Sequence, residues 1–259
     1  MSNPRMGELV SCAFRESRAQ LHEDLLLLPT LLKAAWTKSS PGVFVEIGAF
    51  DGKTYSNTLM LEECFGWRGV LIEANPRNFA MLNASGRRAH LVNSAVCGDG
   101  ARNTVRFSLD GNETAGELDR LTKRRQARRR HNSVDVPCKP MSVILSDYGL
   151  TGADFLSLDV EGAEDKVLST VSPDAFQLIM VETNSRSTLK IAKLMRAASM
   201  QQARNVTVPF SDVWLRPGVE ELPVPGVRIS PRITQAGPKP LITRVAAEMM
   251  MDVALAGYG

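Results

Sequence analysis

The stretch Val43-Phe44-Val45-Glu46-Ile47-Gly48-Ala49-Phe50-Asp51-Gly52 constrains the fold of this chain more than any other. Its apolar, β-branched beginning reads as a buried strand, and its glycines as the turn that ends it. The pattern that follows predicts a helix over 53–63. Gly69-Val70-Leu71-Ile72-Glu73 then reads as a second strand that ends in an acid. Strand, glycine turn, helix, strand and terminal carboxylate make half of a nucleotide-binding α/β domain. Gly48 and Gly52 lack a Cβ, so a ligand can come close to the backbone there. Glu73 is placed to accept hydrogen bonds from both hydroxyls of a ribose.

The turn also bears on which nucleotide is bound. A dinucleotide site uses G-x-G-x-x-G with the pyrophosphate on a helix N-terminus. Here Phe50 stands where the middle glycine would be, and Glu46 lies in the strand end before Gly48. A carboxylate at that point suits a cation better than a phosphate. S-adenosylmethionine carries an ammonium, a sulfonium and a ribose but no phosphate, and it is the expected cofactor.

The chain has 259 residues, 44% of them hydrophobic and 23% charged, enough for one domain with a sizeable core and extensions. The net charge of +3 is too small to imply a nucleic-acid partner by itself. Cys12, Cys64, Cys97 and Cys138 show no C-x-x-C and no metal spacing. Cys64 and Cys97 lie in apolar segments and read as buried thiols of a reducing compartment. Residues 1–9 lack the apolar core of a signal peptide, and Leu25-Leu26-Leu27-Leu28 is too short to span a bilayer. A cytoplasmic location is therefore expected.

Organisation follows from the patterning. Residues 1–40 form an expected N-terminal helical extension, with Leu21, Leu25, Leu28, Leu31 and Leu32 on one face and a break near Pro29. Residues 41–216 alternate strands and helices, which implies a mostly parallel sheet covered on both faces. Strands are predicted over 89–97, 103–109, 133–137, 155–159, 177–182, 205–208 and 212–215, and helices from Asn75-Pro76 and over 142–148, 163–170 and 187–198. Residues 217–259 are proline-rich, with a helical apolar spacing near the end.

A further segment is Asp154-Phe155-Leu156-Ser157-Leu158-Asp159-Val160-Glu161-Gly162-Ala163-Glu164. Together with the first turn and Tyr55-Ser56-Asn57-Thr58, it resembles the FkbM family of S-adenosylmethionine-dependent methyltransferases. Gly66-Trp67-Arg68-Gly69-Val70-Leu71-Ile72-Glu73, Val136-Pro137-Cys138 and Met180-Val181-Glu182-Thr183-Asn184 match as well, in family order over roughly 41–215. The resemblance implies the class I, Rossmann-like methyltransferase fold: α/β, with a seven-stranded mostly parallel sheet, helices on both faces and an antiparallel last strand over 212–215. Phe50 and Ala74 depart from the family, which usually has Asn and Pro there.

The resemblance and the strand ends together give roles. Glu46, Gly48, Asp51 and Gly52 are expected to line the methionine end of the cofactor, and Glu73 to hold its ribose. Ser94 and Ala95 are expected beside the adenine. Ser56 and Asn57 either reach the cofactor carboxylate or cap the following helix. Asp159 and Glu161, at the carboxyl end of a central strand, are the catalytic candidates: a base or orienting acceptor, and a ligand for a substrate hydroxyl. Glu161 and Glu164 also read as acids that stabilise a helix N-terminus. Glu182 and Asn184 face the same crevice as substrate-binding candidates. No metal is expected.

The expected reaction is O-methylation of a small molecule or glycan. Two other readings stay open. One is an RNA methyltransferase or nucleic-acid-binding protein using the basic run Lys123-Arg124-Arg125-Gln126-Ala127-Arg128-Arg129-Arg130, although that run lacks interleaved aromatics for stacking. The other is a non-catalytic scaffold of the same fold. Oligomer formation is conceivable through the terminal extensions.

Overall fold

The structure is a computed structural model and describes residues 4–36, 41–98, 103–109, 132–160, 162–183 and 188–224. Two helices lead in: α1, Pro4–Glu16, and α2, Glu23–Trp36. The α/β body follows as β1 (Val43–Ile47), α3 (Leu59–Phe65), β2 (Arg68–Ile72), α4 (Pro76–Asn83), β3 (His90–Val92), β4 (Ala95–Val96), β5 (Thr104–Ser108) and β6 (Ser133–Lys139). The chain continues as α5 (Met141–Asp147), β7 (Ala153–Leu158), α6 (Glu164–Leu168), β8 (Phe176–Glu182), α7 (Thr188–Ala197), β9 (Gln201–Gln202) and β10 (Ser211–Leu215).

Seven strands form one sheet in the order β3-β2-β1-β7-β8-β10-β9. β10 runs antiparallel to β8 and β9, and the other neighbours that pair are parallel. This is the class I methyltransferase arrangement, including the expected reversed strand. From β1 the chain builds outward to β2 and β3, and it later returns to β7 on β1's other side. The strand order therefore switches between β1 and β7. In open α/β sheets a crevice forms at the carboxyl ends of the strands at such a point. A smaller sheet, β4-β6-β5, stands beside the main one.

Strand alternation assigns the two cores. Phe44, Leu71, Phe155, Leu178 and Met180 face one side, where α1 and α2 contribute Val10, Ala13, Leu25, Leu27, Leu28, Leu31 and Leu32. Val45, Ile47, Val70, Ile72, Leu156, Leu158, Ile179 and Val181 face the other, under Ile144, Leu145, Ile191 and Met195. β7 is buried along its whole length, as expected for a central strand covered on both faces.

Several local expectations change. The leading helices break at 17–22, not at Pro29, which lies inside α2. Leu26, Leu27, Leu28, Leu31 and Leu32 are all buried there, so packing holds the helix through the missing N–H donor. The helix after the first turn starts at Leu59 instead of residue 53, because Asp51 and Glu46 claim the backbone and hydroxyls of 53–58. The strand expected over 89–97 splits into β3 and β4. The segment 205–208 forms only a bridge from Val208 to Ser211, since the Glu221 carboxylate takes the N–H groups of Arg204, Asn205 and Val206.

Cys64 and Cys97 are not thiols. Cys12 is bonded to Cys64, with S–S 2.04 Å, and Cys97 to Cys138. No C-x-x-C signals such pairs, because each partner lies on a different element. The expectation of a reducing compartment rested on free thiols and loses that support. Among the described residues, no helix is long and apolar enough to cross a membrane.

Candidate active site

A cleft of ≈ 740 Å³, counted out to its open mouth, lies at the carboxyl ends of β1, β2 and β7. Gly48, Phe50, Glu73, Ser94, Ala95 and Asp159 line it, and Val105 and Phe107 of β5 add apolar surface. The topology makes this meeting possible. The chain leaves β1 and β7 side by side, and the Asp159 N–H donates to the Ile47 carbonyl at 3.2 Å. Gly48 has φ 85°, and a Cβ there would run into the Asp159 carbonyl oxygen. Only glycine fits both the turn and the closeness of the two strand ends.

Glu73 follows β2 and is buried. Its Oε2 accepts from the Phe50 N–H at 2.9 Å and its Oε1 from the Asn75 N–H at 2.6 Å. Burial pushes its carboxyl up to about 7, against the downward pull of the Asn75, Phe50 and Ala74 N–H groups. Each carboxylate oxygen keeps acceptor capacity toward the cleft, since a carboxylate offers about four lone-pair sites in all. Glu73 thus ties the first turn to the second strand while facing the ligand space.

Glu46 lies elsewhere. It points to the α3 side of the sheet, is buried, and is not among the cleft-lining residues. It accepts from Ser56 Oγ at 2.9 Å, from the Asn57 N–H at 2.8 Å and from Thr58 Oγ1 at 2.5 Å. A buried arginine absent from the expected site completes this knot. Arg87 donates to the Gly52 carbonyl at 2.6 Å, Ser56 Oγ at 3.1 Å and Thr58 Oγ1 at 2.9 Å. Its Nε lies 3.2 Å from Glu62 Oε2, with both side chains 1% exposed. Sequence gives little warning of this, because Arg87 sits in the plain pair Arg87-Arg88 far from the turn.

The other expected residues divide by role. Asp51 accepts from the Lys53 and Thr54 N–H groups and from Thr54 Oγ1 at 2.7–2.8 Å, an Asx-type turn. Burial pushes its carboxyl up, but these hydrogen bonds outweigh it and leave the group below its ordinary value. Gly52 has φ 79°, and a Cβ there would press on Leu82. Ser56 Oγ accepts from the Leu59 N–H at 3.1 Å, the capping alternative. Asn57 Nδ2 donates to Ser157 Oγ at 3.1 Å, while its Oδ1 is buried with no partner among the described residues. Ser94 donates to the carbonyls of Ala95 and Pro137. Glu182 ends β8, half-buried, opposite Ser211 and outside the cleft lining. Glu164 accepts from the Gly162 N–H at 2.8 Å, close to its helix-start reading. Glu161, Asn184 and the basic run 123–130 lie outside the described residues.

The electrostatics of the cleft are one-sided. Among its described lining residues are the acids Glu73 and Asp159 and no Lys, Arg or His. An apolar hollow with acids and no bases selects for cations and against phosphates.

Comparison with known proteins follows the same line. The profile described as "Methyltransferase FkbM domain" matches residues 46–201, more than half of the chain. Among solved structures, an FkbM methyltransferase from Methylobacillus flagellatus is 16% identical, with TM-score 0.43, over 67% of this chain and 43% of that one. This chain thus spans less than half the length of that structure. An O-methyltransferase from Bacillus cereus in complex with SAH is 11% identical, with TM-score 0.37, over 83% of this chain and 90% of that one. The Burkholderia thailandensis 1,6-didemethyltoxoflavin-N1-methyltransferase, with S-adenosylhomocysteine bound, is 15% identical with TM-score 0.33, covering 74% and 78% of the two chains. No curated protein matches the sequence.

Proposed function

This chain belongs to the FkbM methyltransferase family, and we propose that it transfers the methyl group of S-adenosylmethionine to a hydroxyl of a small molecule or glycan. The observation that carries the cofactor assignment is the cleft at the β1/β7 switch, whose described lining includes the acids Glu73 and Asp159 and no Lys, Arg or His. The Gly48 turn lets the ends of β1 and β7 meet at the cleft, since a Cβ there would run into the Asp159 carbonyl. Glu73 presents a buried carboxyl suited to ribose hydroxyls. When bound, the cofactor supplies an electrophilic methyl carbon on a sulfonium.

The residues of this chain do the rest. Gly48, Ser94 and Ala95 shape the walls, Glu73 orients the ribose, and Val105 and Phe107 exclude water. Glu46, Asp51, Gly52 and Ser56 hold the loop that forms the floor. Asp159, exposed at the cleft's edge, is the residue proposed to accept or orient the acceptor's hydroxyl proton. Alignment of acceptor and methyl donor is worth up to about 7–11 kcal/mol in well-ordered intramolecular reactions. A positioned base adds about 10²–10⁴-fold. Glu161 and Asn184, which follow β7 and β8 in the chain, are proposed acceptor contacts, while Glu182 ends β8 outside the cleft lining.

The test is transfer of labelled methyl from S-adenosylmethionine to a panel of hydroxylated acceptors. The reading predicts a methyl ether product, with Asp159→Asn losing about 10²-fold or more in kcat while still binding S-adenosylhomocysteine. Methylation on nitrogen, or full activity in Asp159→Asn, contradicts the proposed acceptor chemistry.

A further inference from the structure

Phe50 is held in a conformation that its own packing does not explain. Its φ is 49°, in the left-handed region that a bulky L residue occupies only at a cost. Its neighbours Ile47 and Ala49 belong to the two cores, but Phe50 belongs to neither and is not among the side chains packed on them. It is half-buried, and it lines the cleft alongside Gly48, Glu73 and Asp159. Its N–H is fixed by Glu73 at 2.9 Å, so the residue is anchored by the same carboxyl that faces the ligand space. The strain is therefore not offset by core contacts, and the residue borders the space that a ligand would fill.

What such a ring recognises follows from its surroundings. The described lining of the cleft includes the acids Glu73 and Asp159 and no basic residue. An aromatic face carries a negative quadrupole and attracts cations within about 6 Å. Acids and an aromatic wall in one apolar hollow favour a positively charged ligand centre.

We propose that Phe50 is a specificity-determining residue whose ring stands against the cationic centre of the cofactor, so that the site prefers the sulfonium of S-adenosylmethionine to the neutral thioether of S-adenosylhomocysteine. The inference rests on reading the cleft as an S-adenosylmethionine site. It has a consequence for turnover: once the charge is gone the ring's attraction goes with it, and product exchange is favoured.

The test compares calorimetric affinities of the full chain for S-adenosylmethionine and S-adenosylhomocysteine, in wild type, Phe50→Tyr, Phe50→Leu and Phe50→Asn. Phe50→Leu is expected to weaken S-adenosylmethionine about three- to thirtyfold more than S-adenosylhomocysteine, the range of a cation–π contact. Phe50→Tyr keeps the wild-type ratio. Phe50→Asn, whose side chain tolerates the left-handed region, loses the ratio while its Tm holds or rises. Equal weakening of both ligands in Phe50→Leu overturns the inference and leaves the cofactor site standing. A folded wild type that binds neither ligand overturns the cofactor reading and this inference with it.

Discussion

At the scale of single residues, the buried acids and the buried arginine set the chemistry. Burial pushes the Glu73 carboxyl up to about 7 by disfavouring its charged form. Ribose hydroxyls donate to a carboxylate better than to a carboxylic acid. Affinity for S-adenosylhomocysteine is therefore expected to fall as pH drops below about 7, by up to about tenfold per unit, and Glu73→Gln flattens that profile. Titrations from pH 6 to 8.5 check it, and a wild-type affinity independent of pH contradicts it. Arg87 is the second case. Replacing it with Met leaves Glu62 charged and 1% exposed without its cation. Urea denaturation of Arg87→Met is expected to show a loss of about 3–5 kcal/mol. A loss under 1 kcal/mol would mean that the knot beneath the loop contributes little.

At the scale of elements, the covalent and backbone constraints decide which segments hold the site. The Cys12–Cys64 bond ties α1 to α3, the helix that follows the cofactor loop. It closes a loop across a separation of 52 residues, so the chain-entropy account predicts about 4 kcal/mol of stabilisation. Cys12→Ser is expected to lower Tm by several degrees under non-reducing conditions, read by thermal unfolding; an unchanged Tm would mean that the bond adds little. The elements that sequence reveals are those whose cause is local. The β1 strand, the Gly48 turn, β2 with its terminal acid, β7 and β8 follow from period and glycine placement. The late start of α3 does not. It follows from Glu46 and Arg87 drawing Ser56 and Thr58 into the interior, a tertiary demand that overrides helical spacing. Pro29 within α2 is a similar case, where burial of the flanking leucines outweighs one lost hydrogen bond. The disulfides are illegible for the same reason, since only the fold brings Cys12 near Cys64 and Cys97 near Cys138.

At the scale of the whole molecule, stability is linked to pH through groups that resist ionising in the folded state. Asp24 is fully buried, and burial pushes its carboxyl up to about 7, against hydrogen bonds from Ser17 and the Leu25 N–H. Glu73 is raised to the same range. Raised acids bind protons more tightly when the chain is folded, so their ionisation opposes folding. The effect is absent below about pH 4, grows as pH climbs, and is complete above about 7. Unfolding free energy is expected to be higher at pH 5.5 than at pH 8, by on the order of 2 kcal/mol for each group. Asp24→Asn removes its share, and an unchanged difference in that variant assigns the effect elsewhere. The same global view separates what sequence carried of the site from what it did not. Gly48, Glu73, Ser94, Ala95 and Asp159 meet at one cleft because strand ends at a switch point converge, and strand ends can be read from patterning. Glu46 turns to the opposite face because side chains alternate along β1, so its acid supports the loop from beneath. The central claim is that this cleft binds S-adenosylmethionine through Glu73. Calorimetric titration of the purified chain with S-adenosylhomocysteine, beside Glu73→Ala, tests it most directly. The account predicts single-site binding by the wild type that weakens at least about tenfold in the variant, the loss of hydrogen bonds to a charged group. Folded wild-type protein that does not bind, or a variant that binds equally well, contradicts it.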